Sequence, residues 1–96
     1  MATFLYRILP PRADFVATIT EAEMAVMGRH FGYLQTLHAA GRLRFVGRAE
    51  NGDFGLVVFE AADEAEARAV AEADPAVVEG LMRVEVHAFR IVDMDG

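Results

Sequence analysis

The sequence contains no cysteine, which excludes a disulfide framework, a thiolate nucleophile and any cysteine zinc site, and fits a reducing cytosol. Positive charge is also scarce. Nine Lys+Arg, scattered along the chain, face fifteen Asp+Glu, for a net charge of −6 and a pI near 4.9. Binding a phosphate backbone needs a basic stripe, so nucleic acid is excluded as a partner, and an anionic membrane surface with it. No run of about 18 apolar residues suggests a membrane span. The start, "MATFLYRILPPRADF", has too short an apolar stretch for a signal peptide and is interrupted by Arg7. A soluble, cytoplasmic protein is expected. Glycine-rich phosphate loops, the Walker pattern, GxSxG and HExxH are absent as well. Histidine and carboxylate chemistry remain, with no cofactor and no metal called for.

The 96 residues read as a single domain, 1–96, at the small end of the range, with no linker, repeat or low-complexity segment. A composition that is 54% hydrophobic is rich for so short a chain and exceeds what one thin core needs. Some of the apolar surface is therefore expected to meet a second copy.

Along the chain, "TFLYRIL" (residues 3 to 9) places Phe4, Tyr6 and Ile8 on one side of a strand and Leu5 and Leu9 on the other. A helix is expected from Thr20 to about Ala40, opened by a Thr20/Glu23 capping box and closed by Gly41. Its apolar stripe reads as Met24, Met27, Phe31, Leu34 and Leu37. "RLRFVG" reads as a second strand, "ENGD" as a hairpin turn, and "FGLVVFE" as a third, central strand. Asp63 with Glu66 repeats the capping box for a second helix, whose thin stripe reads as Ala62, Ala65, Ala69 and Ala73 plus Val70, and Pro75 stops it. After a short helical turn closed by Gly80, "RVEVHAFRIV" supplies a fourth strand. The order β-α-β-β-α-β defines a ferredoxin-like α+β sandwich. Two helices cover one face of a four-stranded sheet. The free face, apolar on strands one and three, is expected to pair with another subunit as a homodimer.

Of the three histidines, His30 falls within the apolar stripe of the first helix. Its ring there is either a buried group held by one local hydrogen bond or a general acid/base near neutral pH. Asp74 stands before Pro75, a standard N-cap and N1 pair. One of its carboxylate oxygens can serve that cap while the other orients an imidazole. The 44-residue separation does not say whether His30 and Asp74 meet. His38 lies two helical turns beyond His30, on the order of 12 Å, too far to share a metal. His87 sits beside Glu85 on the last strand, toward solvent or an interface. Met24 and Met27 read as core filler, and the acids from Asp63 to Glu72 as a solvated face.

The stretches "HFGYLQTLHAAGRLRFVG" and "GDFGLVVFEAADEAEARAVAEADPAVVEGLMRVEVHAFRIV" resemble the YCII-related family, with its helical His, Tyr-Leu, Gly before the second strand and late Asp-Pro. The resemblance runs from about His30 to Val92. It implies a ferredoxin-like fold of the dimeric α/β-barrel group and an active-site pair matching His30 and Asp74. Members with assigned chemistry include dehydrochlorinases of chlorinated hydroxyquinols, and similar folds outside the family include muconolactone isomerases. Two departures fall near the implied pocket: Gly47-Arg48 where Gly-Pro is common, and Asp74-Pro75-Ala76 where Asp-Pro-Phe is common. The leading expectation is an isomerase or lyase-like enzyme transferring protons on a small cyclic or aromatic-derived molecule. His30 is its acid/base, Asp74 the orienting carboxylate, and Tyr6, Phe45 and Arg48 line the pocket. The competing expectation is a non-catalytic dimeric module that binds a small ligand or partner protein.

Overall fold

Apolar residues on both faces make β1 (Ala2–Leu9) and β3 (Gly55–Ala61) the two central strands of an antiparallel sheet ordered β2-β3-β1-β4, with β2 (Leu43–Arg48) and β4 (Arg83–Ala88) at its edges. The computed structural model describes residues 1–95. Two short helices, α1 (Phe15–Thr18) and α4 (Pro75–Val78), accompany the long α2 (Glu21–Ala39) and α3 (Glu64–Glu72). The chain is thus the ferredoxin-like α+β sandwich that its pattern predicts, with α1 as an unforeseen addition. The core lies between helices and sheet, around Phe4, Tyr6, Ile8, Val57 and Phe59, against Leu34, Leu37, Ala67, Val70 and Ala71. Burying each of the larger of these side chains is worth about 1.5–3 kcal/mol.

The capping box of α2 forms in both directions: Thr20 Oγ1 accepts from the Glu23 amide and Glu23 Oε1 from the Thr20 amide. Gly41 ends the helix at φ +73°, where a Cβ would be strained. At α3 only half of the box forms. Asp63 accepts from the Glu66 amide, but the Glu66 carboxylate is taken by Arg42 instead of reaching back.

Three expectations about side-chain direction are overturned. The buried stripe of α3 is Ala67, Val70 and Ala71, continued by Asp74, whereas Ala62, Ala65, Ala69 and Ala73 are exposed. Those buried positions recur at i, i+3, i+4 and i+7, so the period is helical and only its phase differs. In α2 the buried row is His30, Leu34 and Leu37 with Met27 partly covered; Met24 and Phe31 are exposed on the flanking row. In β2, Leu43 pairs with Phe59 and Phe45 with Val58, so β2 advances two residues where β3 advances one. This bulge at Arg44 sends Phe45 to the open face.

On that open face Leu5 and Val58 stand opposite each other and are buried, flanked by half-exposed Phe45 on one side and His87 on the other. An Arg7–Glu85 ion pair bridges β1 and β4 there.

The corner between α1 and α2 is fastened by Arg12. It donates to Thr18 Oγ1 and O and to both oxygens of Glu23, with its guanidinium over the Phe15 ring. Hydrogen bonds from Arg12, and then from the Thr20 amide, lower the Glu23 carboxyl to about 2 from its ordinary 4.5. A depressed folded-state value contributes stability that is fully present above the unfolded value and is lost as pH falls through the window from 4.5 toward 2. Arg12→Ala is therefore expected to be less stable than the parent at neutral pH, with the two urea curves converging as pH is lowered through that window. A constant gap down to pH 2 would show that the guanidinium acts by packing alone.

Candidate active site

Asp74 is brought to the sheet by the end of α3 and fixed by the start of α4. Its Oδ1 accepts from the Ala76 amide at 2.9 Å, the N-cap bond that its position before Pro75 predicts. Its Oδ2 accepts twice, from the Tyr6 hydroxyl at 2.7 Å and from His30 Nδ1 at 2.7 Å. Asp74 and Tyr6 are fully buried and the His30 ring nearly so. The cost of burying a carboxyl group of this kind is offset by the three hydrogen bonds that it accepts.

Three elements converge to make this arrangement. Tyr6 stands on the helix-facing side of central β1, braced edge-to-face by Phe59 at 5.6 Å between centroids. His30 is on the buried row of α2, and α2 packs against α4. Outside, Arg29 and Glu79 pair at 2.6 Å, joining the helix turn of His30 to the end of α4, and the same bond keeps Glu79 below the usual carboxylate range. Exposed pairs of this kind contribute little to stability. Tyr33 also crosses from α2, donating to the Val70 carbonyl at 2.6 Å.

The tautomer of His30 follows from the donor inventory. A carboxylate accepts only, so neutral His30 carries its proton on Nδ1 and leaves Nε2 as a free base. Burial, and next the negative Asp74, push the Tyr6 hydroxyl far above its ordinary value, so Tyr6 stays a donor at physiological pH. Among the described residues no buried side-chain nitrogen or oxygen lacks a partner, yet Nε2 bonds to nothing in the protein. Being unbonded and not among fully buried atoms, Nε2 keeps some access to solvent.

Next to it is a cavity of about 460 Å³, within the range of small-molecule sites. His30 is in its wall, with Ile8, Phe15, Met27, Phe31, Val46 and Met82 supplying apolar surface. Phe31 is exposed because it edges this space rather than the sheet. The β2–β3 hairpin forms one side. Gly52 there has φ +82°, and a Cβ on it would meet Val16 Cγ2 of α1 at 2.2 Å, so glycine is required on both counts.

Of the residues expected at the site, His30 and Asp74 are together and Arg48 is in the cavity wall. Tyr6 is not in the wall; it stands behind Asp74 as the second donor to Oδ2. Phe45 is on the opposite face of the sheet because of the bulge, and its expected place in the wall is taken by Val46. His38 is exposed beside a shallow hollow, and His87 is exposed on the open face, 3.7 Å from Glu85. The role of Tyr6 as an Asp74 partner escaped the sequence reading, although a tyrosine on the buried side of a central strand signals a hydroxyl in need of an acceptor. Among the described residues no group of three or more His, Asp or Glu is placed to hold a metal ion, and no helix is long and apolar enough to cross a membrane. The chain has no lysine, hence no side-chain amine for a Schiff base.

A conserved-domain model, the YCII-related domain, matches residues 4–90, and the chain belongs to the YCII-related family. No curated protein matches it. Among solved structures, one from Burkholderia phenoliruptrix AC1100 is similar over 94% of each chain, with a TM-score of 0.66 and 21% identity. It is the 5-chloro-2-hydroxyhydroquinone dehydrochlorinase TftG in complex with 2,5-dihydroxybenzoquinone. At that identity the likeness is one of fold.

Proposed function

We propose that the protein is an acid/base enzyme, an isomerase or a lyase of the dehydrochlorinase kind, acting on a small cyclic or aromatic-derived molecule. The observation that carries this reading is the 2.7 Å contact of His30 Nδ1 with a buried carboxylate in a residue that also lines an apolar cavity. The similar fold of a dehydrochlorinase that binds a dihydroxybenzoquinone supports the substrate class. Nε2 takes a proton from carbon or oxygen of the bound ring, and Asp74 stabilises the imidazolium that results. The electron pair left behind moves into the ring. In an isomerisation the proton is returned at another position; in an elimination the pair expels a leaving group such as chloride. Asp74 and Tyr6 serve as positioning residues, since neither is in the cavity wall.

The test is the protonation site of His30, read from long-range ¹⁵N–¹H imidazole correlations. The neutral ring is expected to be the Nδ1–H tautomer in the parent protein and to lose that preference in Asp74→Asn, whose amide can present a donor to the same nitrogen. A ring that is Nε2–H in the parent, or indifferent to the substitution, would remove the base and leave the small-ligand-binding module as the better account.

We further propose that the open sheet face, carrying Leu5, Val58 and half-exposed Phe45, pairs with a second copy of the chain. Sedimentation velocity of the intact protein checks this: a dimer that Phe45→Asp dissociates is the expected result, and a monomer at all concentrations refutes it.

A further inference from the structure

Among the residues of the cavity wall only His30 and Arg48 have polar side chains, and no carboxylate is among them. That is unusual on a chain of net charge −6. Six of the nine arginines, Arg7, Arg12, Arg29, Arg42, Arg44 and Arg68, are engaged by glutamates. Arg48 is not. Its Nη1 donates to two carbonyls of its own hairpin, Ala49 at 3.3 Å and Glu50 at 3.0 Å. Among the described residues Nε and Nη2 have no acceptor, and of the two hairpin acids, Asp53 has its Oδ2 engaged by Asn51 while Glu50 offers Arg48 only its carbonyl. A guanidinium carries five N–H donors in a fork matched to oxyanions, so most of its capacity is unspent. Val46 and Gly47, just before it on β2, are in the same wall, while His30 approaches from α2. An arginine and a histidine thus line one apolar space from two elements.

Building on the proton-transfer reading of this cavity, we propose that its ligand is a monoanion: a small, otherwise apolar ring compound bearing one carboxylate or phenolate oxygen. Arg48 anchors that oxygen, and the ring lies in the cavity within reach of His30. A charged hydrogen bond at the edge of an apolar site is stronger than the same bond in water, so charge on the ligand rather than ring size sets the preference. The same guanidinium stabilises negative charge that spreads onto the ring when His30 removes a proton.

Near-isosteric acids and amides separate charge from shape. The full chain is titrated with benzoate and with benzamide, and then with cyclohexanecarboxylate and its amide, following the His30 ring and the Gly47 and Gly52 amides by NMR. The acids are expected to shift all three sets of signals and to bind about tenfold more tightly than their amides. That advantage should vanish in Arg48→Gln and largely persist in Arg48→Lys. Arg48 is exposed, so neither variant is expected to unfold, and their spectra verify this. Equal binding of acids and amides to the parent, or an undiminished preference in Arg48→Gln, would overturn the role of Arg48 while leaving the proton-transfer reading intact. Failure of all four compounds to shift the His30 ring would overturn both.

Discussion

Asp74→Ala is expected to lower the stability of the protein by about 3–5 kcal/mol, the cost of leaving several buried donors without their acceptor. Three donors lose their acceptor at once: the Tyr6 hydroxyl, His30 Nδ1–H and the Ala76 amide. Each buried donor left unpaired costs about 1–3 kcal/mol, and the sum is reduced because a small cavity admits water or lets side chains turn. For a domain of this size such a loss lowers Tm by roughly 15 °C or more. The accompanying order is informative. Tyr6→Phe removes a donor and leaves Asp74 with two, so it should cost only about 1 kcal/mol. Asp74→Asn should fall between the two, because an amide has one acceptor oxygen where the native side chain uses two. Urea denaturation at neutral pH measures all three. A loss below about 1 kcal/mol for Asp74→Ala would mean that the network is not formed in solution.

His30→Gln is expected to do the reverse, leaving the fold almost as stable as before and lowering turnover by about 10²- to 10⁴-fold, the usual contribution of a positioned general acid/base. The glutamine amide can still donate to Asp74, but it cannot take up and release a proton. The loss should appear in kcat and in kcat/KM alike, since the proton is in flight only in the transition state. Substrates for the assay are ring compounds with an exchangeable C–H or a leaving group beside one, and incorporation of solvent deuterium reports the proton step directly. Activity above one tenth of the parent would exclude His30 as the base.

Local signals made much of the frame readable. The Thr20/Glu23 box, a hairpin at "ENGD" and the inward side of β1 each act within a few residues and occur as expected, although the turn centres on Glu50-Asn51 with Gly52 closing it. His30 and Asp74 could be singled out for the same reason, one as a polar group on an apolar row and the other as a residue before proline. Their contact could not, because 44 residues separate them and only the packing of α2 on α4 closes the gap. Directional errors have two physical origins. In α3 four of the six non-acidic residues are alanine, so opposite faces differ little in hydropathy and the phase is set by the sheet. In β2 a single extra residue reverses the sides of everything after it, and nothing about Arg44 announces that. The four-residue α1 is too short for any periodicity.

The bifunctional carboxylate of Asp74 has a genetic consequence. One oxygen starts a helix and the other aims an imidazole, so a saturation library at this codon should return survivors that are nearly all wild type, whether it is selected for abundance or for turnover. At the His30 codon the same two selections should diverge, with many well-expressed clones and few active ones. Comparing the two tolerance maps would divide the requirements of the scaffold from those of the reaction without purifying a single variant.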